Sequence, residues 1–598
     1  MQAVARPLYY AENGLVFTIL GLIVALPLIE IVGRFFRSGL HGSTIYRNHL
    51  VIWIAFAGGM VTSRSGRHLA LTIATEVLEK PARKGVGAII GLLSSAVCTA
   101  LAWSSWQYLN VAFAQNHTIG ILPVNVALAI MPVGFGVMAI RFIAHAPPGI
   151  ACKLVALAGP VIALVLGFPL SGVAHWYQWP SIIVLIAAAF FGLPIFVALG
   201  GIAAMLFFTG AGTIAIIPDE AYIILRKDIM PSIPLFTVTG YLLSESNAGK
   251  RLVCFFNEAF GWLPGGIAIM AIVACAFFTT FTGASGVTIL ALGGLLSYVL
   301  TKSGYPKGYS EGLLTASGSI GLLFPPSLPI ILYGVVAHVN IKHMFVGGLI
   351  PGMIMVVALA GLAIVHARKH KITRRSIKLG KVMHELKSCS GELLLPVLII
   401  ISFLMGWTTL AETGAVAVVY AIVLEVVIHR DISLRTLPGV ILKGVPILGG
   451  ILIIIAVSQG VKAYLVDEAV PQMLATWCRE AIESKIVFLL LLNVALLLTG
   501  CFMDIFSALF VVVPLIIPLG EAYGIHPIHL GIIFLANLEL GYLTPPVGMN
   551  LFLASYRFEE PLHKIYRNVL PFLIALLVAV LLITYLPLMT TGLLFFVE

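Results

Sequence analysis

The feature of this sequence that most limits its fold is a series of apolar segments, each close to twenty residues long. A helix needs about 20 apolar residues to span a bilayer, because the hydrocarbon core is roughly 30 Å thick and a helix rises about 1.5 Å per residue. By that measure the chain of 598 residues holds roughly sixteen hydrophobic units between Gly14 and Val597. They leave no room for a sizeable soluble domain, so the sequence predicts an all-α protein that crosses the membrane many times.

The apolar segments are of two kinds. Clear spans are predicted at residues 14–33, 48–63, 87–115, 121–144, 154–172, 181–209, 341–366, 392–407, 412–428, 439–460 and 568–597. Three further regions, 266–300, 308–336 and 485–556, are also apolar but are interrupted by Gly, Pro and polar residues. No small-residue cleavage site follows the first apolar run, so we expect that run to be retained as a span.

The charged residues are few and concentrated in loops. They make up 10% of the chain and give a formal net charge of +10. The largest basic cluster lies between two apolar segments and consists of Arg368, Lys369, Lys371, Arg374, Arg375, Lys378, Lys381 and Lys387. A second basic loop contains Arg64, Arg67, Lys80, Arg83 and Lys84. The positive-inside rule accounts for both loops and predicts that they face the cytosol of a bacterial inner membrane, with lipid and not nucleic acid around the protein.

No sequence motif predicts catalysis. The chain has no Gly-rich loop followed by Lys and Ser or Thr, so it holds no ATPase of its own. Its seven cysteines lack paired metal-ligand spacing, and most lie in apolar runs, where cysteine acts as a small hydrophobic residue. We therefore expect no enzyme activity, no cofactor and no transition-metal site.

Three modules can be distinguished along the chain. Residues 1–150 hold four apolar segments with short connections and predict a small four-helix module. Residues 151–180 predict a linker helix followed by an interface loop, because Trp176 to Pro180 combine aromatic residues with proline. Residues 181–598 form a larger module.

The large module contains an internal duplication. Residues 304–306 (Gly-Tyr-Pro) correspond to residues 524–526 (Gly-Ile-His), and 524 minus 304 is 220. Residues 321–326 match residues 541–546 at the same offset, and both stretches begin with Gly and end with Pro-Pro. The sequence thus predicts two inverted structural repeats at about residues 185–366 and 392–598.

The paired Pro-Pro breaks are the strongest indication of function. A Pro-Pro pair removes two backbone donors and cannot continue a helix, so it leaves carbonyls without partners at membrane depth. Such carbonyls cost several kcal/mol each in lipid and persist only where they line a cavity or bind something. A cation on the carbonyls and an anion at the half-helix N-terminus are the natural ligands, as in secondary transporters.

A small, hydroxyl-rich patch interrupts the first of the broken regions. Residues 277–288 contain four threonines, a serine and two glycines within an apolar run. The two halves of the run are too short to span separately and predict a re-entrant hairpin with its tip at Gly283 to Gly286. The alternative is one spanning helix whose small residues pack against a neighbour.

Asp504 lies at the matching tip of the second copy, after Gly500. A carboxylate within an apolar run is costly and is by default a functional hypothesis. Its oxygens, with the Thr544 hydroxyl and backbone carbonyls, are the hard ligands that a Na⁺-like ion prefers. The alternative is an Asp near the interface that is paired with backbone donors.

Three further charged residues are weaker candidates. Glu539 and Glu412 lie in or beside apolar stretches, where each could also cap a helix or face the cytosol. Arg251 is a candidate to meet a substrate carboxylate, or it could extend to the membrane interface.

These motifs together resemble a known family, the tripartite ATP-independent periplasmic (TRAP) transporters, in the form whose small and large membrane subunits are fused. The resemblance covers most of residues 185–598 and is joined by a weaker likeness of residues 1–150 to the small subunit. The residues that carry it are Ile233–Phe236 with Gly240, Leu263–Gly266, Gly283–Ser285, Gly304–Pro306, Phe324–Ser327, Gly348–Gly352, Gly500 with Asp504, and Thr544–Gly548 in the large module, and Arg34 with Gly66–His68 in the small one.

The resemblance implies an elevator-type carrier that uses Na⁺ and accepts an organic acid from a separate periplasmic binding protein. Carried over to this chain, the Na⁺ ligands would be Ser285, Gly321, Phe324 and Pro326 in one copy, and Gly500, Asp504, Gly541, Thr544 and Pro546 in the other. The substrate would lie between the hairpin tips and touch Ser327 and Asn550. The tip reads Gly-Ala-Ser-Gly here and not Gly-Ser-Ser, so its hydroxyl ligands differ from the usual set.

Two alternatives differ from this hypothesis in the class of protein. One is a one-component carrier of organic anions that needs no binding protein. The other is a channel or an intramembrane enzyme, which the lack of a continuous polar stripe and of a catalytic pair disfavours. Dicarboxylates, sialic acids, sugar acids and sulfonates are all open as substrates.

Overall fold

A computed structural model describes residues 2–36, 42–66, 68, 70, 79–111, 118–119, 122–167, 174–209, 213–372 and 377–596. Within these ranges the protein is almost entirely helical. The only strands there are two residues each, Thr118–Ile119 and Leu122–Pro123, paired antiparallel.

The first ten helices, in chain order, are α1 Gln2–Phe35, α2 Ser43–Ser65, α3 Lys80–Val111, α4 Val124–Leu128, α5 Ile130–His145, α6 Ile150–Gly167, α7 Ala174–Phe190, α8 Ile195–Thr209, α9 Ile216–Leu225 and α10 Ser232–Glu245. The next eight are α11 Ala248–Phe260, α12 Gly266–Thr282, α13 Ser285–Lys302, α14 Lys307–Ser317, α15 Leu328–Val336, α16 Ile341–Lys369, α17 Leu379–Leu404 and α18 Leu410–Ile422.

The remaining helices are α19 Leu437–Asp467, α20 Val470–Ala481, α21 Lys485–Phe502, α22 Ile505–Ala522, α23 Pro527–Gly541, α24 Met549–Phe558, α25 Leu562–Tyr585 and α26 Leu588–Thr591. Short irregular helices are the 3₁₀ turns Ile320–Leu323 and Leu594–Phe596, and a π-helix, Val423–Ile428, that extends α18.

Twelve helices among the described residues are long and apolar enough to cross a membrane, or thirteen if one bent pair counts as a single span. That pair is Lys307–Leu323 with Leu328–Val336, bent by 46°. The prediction of a helical protein with many spans is therefore confirmed.

The chain folds into two compact units. Unit 1 consists of Met1–Leu235 with Pro438–Val470, and unit 2 of Phe236–Leu437 with Pro471–Glu598. α19 thus belongs to unit 1, although it lies in the second half of the sequence. The three modules predicted from the sequence are a separate division, which these units do not test.

Unit 1 is held together by a close crossing of α2 and α19. A Cβ placed on Gly449 would lie 2.1 Å from the carbonyl carbon of Gly58, so the two backbones touch. One turn further along α2, the Thr62 hydroxyl donates to the carbonyl of Pro446 at 2.9 Å. Small residues allow this approach, as in other membrane helix pairs. The four-helix region and a helix of the large module therefore share one core.

The segment predicted as one span at 181–209 is wrong, because two helices cover it. α7 ends at Phe190 and α8 begins at Ile195. Gly192 adopts a φ of +96°, which interrupts the helix, and Pro194 has no N–H to continue it.

The interface loop predicted after the linker helix is also wrong in part. Trp176 to Pro180 form the first half of α7. Pro180 is tolerated inside this helix because the residue whose carbonyl it frees, Trp176, is exposed at the protein surface. Residues 168–173 of the linker, and Arg67, Arg374 and Arg375 of the basic loops, lie outside the described residues.

Candidate ion and substrate site

The first helix pair of unit 2, α12 and α13, breaks at the predicted tip. Gly283 adopts a φ of +62°, a conformation that a glycine takes at no steric cost, and α13 begins at Ser285. The hydroxyls of Thr279 and Thr288 lie 2.6 Å apart, although nine residues separate them. A continuous helix would hold these residues more than 10 Å apart at about 1.5 Å per residue, so the chain doubles back here.

The first interrupted helix lies against this pair. α14 ends at Ser317, a 3₁₀ turn follows, and α15 begins at Leu328. A Cβ on Gly321 would lie 2.2 Å from the carbonyl oxygen of Ala276, so the break is pressed against the α12 backbone. The Thr280 hydroxyl donates to the Gly321 carbonyl at 3.1 Å. The Phe324 N–H also donates to this carbonyl at 3.2 Å, so a hydroxyl of the hydroxyl-rich patch adds a second donor at the break.

Ser285 and Asn550 meet at the tip. The Ser285 hydroxyl donates to Asn550 Oδ1 at 2.6 Å, and both side chains are buried. The amide nitrogen of Asn550 has no hydrogen-bond partner. A fully buried N–H₂ group without an acceptor lowers the stability of the folded protein, so a bound ligand that supplies an acceptor would be favourable here.

The second helix pair, α21 and α22, breaks at Met503 and Asp504. Asp504 is the N-cap of α22, because its Oδ2 accepts from the backbone N–H groups of Phe506 at 3.0 Å and Ser507 at 3.3 Å. Its Oδ1 accepts a hydrogen bond from the Ser507 hydroxyl. The carboxylate is 7% exposed, so it is buried and paired with donors of its own helix.

The second interrupted helix is packed on the second tip through glycines. A Cβ on Gly541 would lie 2.6 Å from the Gly500 backbone. Beyond this contact the Gly548 N–H donates to the Cys501 carbonyl at 3.1 Å, and the Cys501 thiol donates to the Thr544 carbonyl at 3.1 Å. The structure therefore places Gly500, Gly541 and Thr544 in one neighbourhood with the Asp504 tip.

The remaining predicted residues lie in the two breaks. The Phe324 ring packs on Gly352 of α16, where a Cβ would come within 2.8 Å of it. The Ser327 hydroxyl donates to the Leu322 carbonyl, so it is engaged within its own break. Pro326 and Pro546 each follow a proline in a cis peptide bond, and the Tyr566 hydroxyl donates to the Pro546 carbonyl at 2.5 Å.

Arg251, a candidate to meet the substrate, lies in an ion cluster of the protein. Each of its three guanidinium nitrogens is bound to a carboxylate of the protein, namely Glu392, Glu425 and Asp431. The side chain is 14% exposed. Three of its five N–H donors are therefore engaged by carboxylates of the protein.

The two weak acidic candidates differ. Glu412 is a helix cap, because it and Thr409 form a reciprocal capping box at the start of α18. Glu539 lies two residues before Gly541, is 1% exposed, and neither of its oxygens has a hydrogen-bond partner. Glu539 could be identified from the sequence because it lies within an apolar run. Its burial without partners makes it the stronger candidate of Glu539 and Glu412.

Some contributors to the site could not be chosen from the sequence. Tyr542 is fully buried in the second break, and its hydroxyl accepts a hydrogen bond from the Ile505 N–H at the second tip. Thr279 and Thr280 were visible as members of a hydroxyl-rich patch, but their carbonyl partners were not.

An apolar cavity of about 540 Å³ lies in unit 1 among α3, α6, α7 and α8. Its lining is mostly aliphatic and includes no charged side chain, with Thr99, Gln107, Ser181 and Thr213 as its polar members. It is therefore unsuited to an organic anion.

Unit 2 thus combines two broken helix pairs with two interrupted helices, and it holds a buried amide donor without a partner. Helices interrupted inside a protein of many spans are typical of the class of secondary transporters.

Comparison with known proteins gives the particular family. The profile of "Tripartite ATP-independent periplasmic transporter, DctM component" matches residues 182–589. The profile of the corresponding DctQ component matches residues 23–147. The chain therefore belongs to the TRAP transporters, with both membrane components in one polypeptide, and is a multi-pass protein of the inner membrane. Proteins of this family are permeases and not enzymes.

Curated relatives carry different solutes. The isethionate TRAP transporter permease protein DctMQ of Oleidesulfovibrio alaskensis is 28% identical over 550 residues, which are 90% of this chain and 86% of that protein. The C4-dicarboxylate TRAP transporter large permease protein DctM of Pseudomonas aeruginosa is 33% identical over 60% of this chain and 84% of its own length. The sialic acid TRAP transporter large permease protein SiaM of Vibrio cholerae is 31% identical with the same two coverages.

Proposed function

We propose that this chain takes up a small organic acid across the inner membrane by Na⁺-coupled secondary transport, using an elevator mechanism. The observation that carries the proposal is the amide of Asn550. Its Oδ1 is fixed by Ser285 at 2.6 Å, so its N–H₂ group points away from that bond, buried and without an acceptor. A carboxylate or sulfonate oxygen is the acceptor that such a donor favours.

Na⁺ is the coupling ion in this proposal. Both breaks gather hard oxygen ligands, which are backbone carbonyls in the first and carbonyls with the Asp504 carboxylate in the second. A cation bound at either break would compete with the hydroxyl and N–H donors that now occupy these oxygens. With a membrane potential near 100 mV, each net charge moved inward supplies about 2.3 kcal/mol. Two charges would supply about 4 to 5 kcal/mol, which is enough for substantial accumulation of solute.

An elevator mechanism needs one part of the protein that moves with the solute and another that stays fixed in the membrane. The two helix pairs and two interrupted helices all belong to unit 2, and their recurrence along the chain supports a pair of inverted repeats. The small four-helix region belongs to unit 1. We assign the moving, solute-binding role to unit 2 and the fixed role to unit 1.

The solute would be delivered by a periplasmic binding protein. The family name describes a tripartite system, and the relatives are permeases for isethionate, C4-dicarboxylates and sialic acid, which are a sulfonate and carboxylates. An anion with one or more such groups is therefore the substrate class that we propose.

Uptake into proteoliposomes tests the proposal. The chain would be reconstituted with and without an inward Na⁺ gradient and with and without its periplasmic binding protein, using isethionate, succinate and sialic acid as probes. Uptake of one probe that needs both the gradient and the binding protein supports the proposal. Uptake that needs the Na⁺ gradient but not the binding protein would favour a one-component carrier. Uptake that does not depend on the gradient would contradict Na⁺ coupling.

A further inference from the structure

Arg251 is the centre of a buried ion cluster that lies apart from the proposed transport site. It projects from α11 and binds Glu392 of α17 through Nε, Glu425 of the π-helix through Nη2 at 2.8 Å, and Asp431 through Nη1 at 2.6 Å. The Glu392 and Glu425 side chains are fully buried, whereas that of Asp431 is 12% exposed. One guanidinium therefore faces three carboxylates.

The two glutamates lie side by side. Nε and Nη2 form one edge of the planar guanidinium, which in most ion pairs binds both oxygens of a single carboxylate. Here two carboxylates share that edge, and each contributes one oxygen. The second oxygens, Glu392 Oε2 and Glu425 Oε1, are buried and have no hydrogen-bond partner. Two adjacent carboxylates in this position repel each other.

The excess negative charge belongs to this glutamate pair and not to Asp431. Although burial alone would raise it, hydrogen bonds from the Asn247 side chain and from Arg251 hold the pKa of Asp431 down at about 2. Asp431 thus stays ionised and offsets the arginine. The other titratable groups that face the cluster are His429, whose Nε2 lies 3.7 Å from Glu392, and Cys389 and Tyr420.

A metal ion does not fit this arrangement. The three carboxylates are spread around the guanidinium, and no group of three or more His, Cys, Asp or Glu side chains in the described part of the chain is placed to hold a metal ion. A proton needs only one oxygen of each carboxylate.

We propose that Glu392 and Glu425 bind one proton between them. A carboxylate oxygen of one glutamate takes the proton from water, and the resulting O–H donates to an oxygen of the other. No other reactant is needed, and Arg251 keeps its charge. The bound proton removes the repulsion within the pair and joins α17 to the π-helix beside Arg251 of α11.

The proton would matter for the α12–α13 pair, because α11 leads into that pair within six residues. Gly265 of this connection is itself pressed on α16, where a Cβ would lie 2.8 Å from the Ala363 carbonyl oxygen. Loss of the proton at alkaline pH restores the repulsion between Glu392 and Glu425 and is therefore expected to loosen the packing of α17 and the π-helix around α11. This expectation does not depend on the identity of the solute or on Na⁺.

Infrared difference spectroscopy of the purified full-length protein tests the proton directly. Spectra at mildly acidic and at alkaline pH, in H₂O and D₂O, should show a carboxylic acid C=O band that disappears on alkalinisation and shifts in D₂O. Glu392→Gln and Glu425→Gln should each abolish that band, because each variant lacks one of the two carboxyl groups that share the proton. Glu385→Gln, about two turns earlier on α17, should keep it. A band that persists in both single variants, or is absent from the wild type, would overturn the proposal.

A second measurement serves if a variant does not fold. The thermal unfolding midpoint of the wild type in detergent should fall as the pH is raised through the loss of the same band. A midpoint that is unchanged across that transition would contradict the link between the proton and α11. Neither readout measures transport, so failure of this proposal and failure of the proposed function can be told apart.

Discussion

The hydroxyl of Ser285 donates a hydrogen bond of 2.6 Å to Oδ1 of Asn550, and this bond joins residues that are 265 positions apart in the chain. It fixes the Asn550 amide in one orientation, because the oxygen is held by Ser285 and the nitrogen must face the other way. The first broken helix pair and the second interrupted helix therefore meet at a donor that has no partner in the protein.

Asn550→Asp should abolish or strongly reduce uptake. The new carboxylate keeps an acceptor for Ser285 but replaces the N–H₂ donor by an oxygen that repels an organic anion. A hydrogen bond to a charged group contributes about 1.5–3 kcal/mol, so the uptake rate at low substrate should fall roughly 10- to 100-fold. Initial rates in proteoliposomes measure the effect.

Asn340→Asp is the matched control for this substitution. Asn340 caps α16 by accepting from the Lys342 N–H, a role that aspartate fills equally well. Uptake by Asn340→Asp should stay near the wild-type rate. Equal losses in the two variants would show that the change of charge acts through folding and not through the substrate.

Asp504 can act as a cap, as a cation ligand or as both, and two substitutions separate these roles. Asp504→Ser keeps a capping oxygen but removes the charge, and Asp504→Ala removes both. If the carboxylate binds Na⁺, both variants should raise the Na⁺ concentration for half-maximal uptake. Only Asp504→Ala should also lose the cap, at a cost of about 0.5–2 kcal/mol in stability.

The Na⁺ dependence of initial uptake rates and the thermal unfolding midpoint are the two measurements for Asp504. A normal Na⁺ dependence in Asp504→Ser would leave this residue with a capping role alone.

Gly449→Ala should destabilise unit 1. The added methyl group would meet the Gly58 backbone at 2.1 Å, a distance that requires α2 and α19 to separate. Overpacking of this kind costs about 1–3 kcal/mol. Thermal unfolding of the purified protein in detergent checks it.

Gly439→Ala provides the comparison, because Gly439 lies on the same helix and a Cβ there would meet nothing within 4 Å. It should leave the unfolding midpoint unchanged or raise it slightly. A larger loss at Gly439 than at Gly449 would contradict the close crossing.

The stabilising effect of the Asp431 carboxylate should be lost in acid. The pKa of Asp431 is held at about 2, below its ordinary value, so its contribution to stability is present at neutral pH and is lost as the pH falls from about 4 to about 2. Asp431→Asn should lower stability at neutral pH by roughly 2 kcal/mol and have little effect near pH 2.

Denaturation at a series of pH values compares Asp431→Asn with Asp467→Asn, a change at an exposed position near the end of α19. If the stability of the wild type and of Asp431→Asn changes with pH in the same way down to the lowest pH, the contacts of Asp431 with Arg251 and Asn247 do not stabilise the protein.

Local patterns in the sequence were sufficient to predict the spans and the breaks. The break at Gly283 follows from two apolar halves that are too short to span, and the breaks at Pro325 and Pro545 follow from the missing N–H groups of proline. The split of residues 181–209 was missed, although Gly192 and Pro194 were visible, because apolar content dominated the interpretation.

Contacts between distant segments could not be predicted in this way. Nothing local in the sequence pairs Ser285 with Asn550, or Arg251 with carboxylates that follow it by 141 to 180 positions. The carboxylate partners of Arg251 were not predicted for that reason. The same holds for the Asn550 amide, whose lack of a partner is a property of the packed structure and not of the sequence.

The crossing of Gly58 and Gly449 bears on how such a chain can arise from two genes. One helix comes from the part that matches the DctQ component and the other from the part that matches the DctM component, yet they share a backbone contact. The contact between the two parts is formed by their own helix surfaces and not by the peptide that connects them. Separately encoded halves would therefore carry their own means of assembly, and fusion would fix their ratio at one to one without creating a new interface.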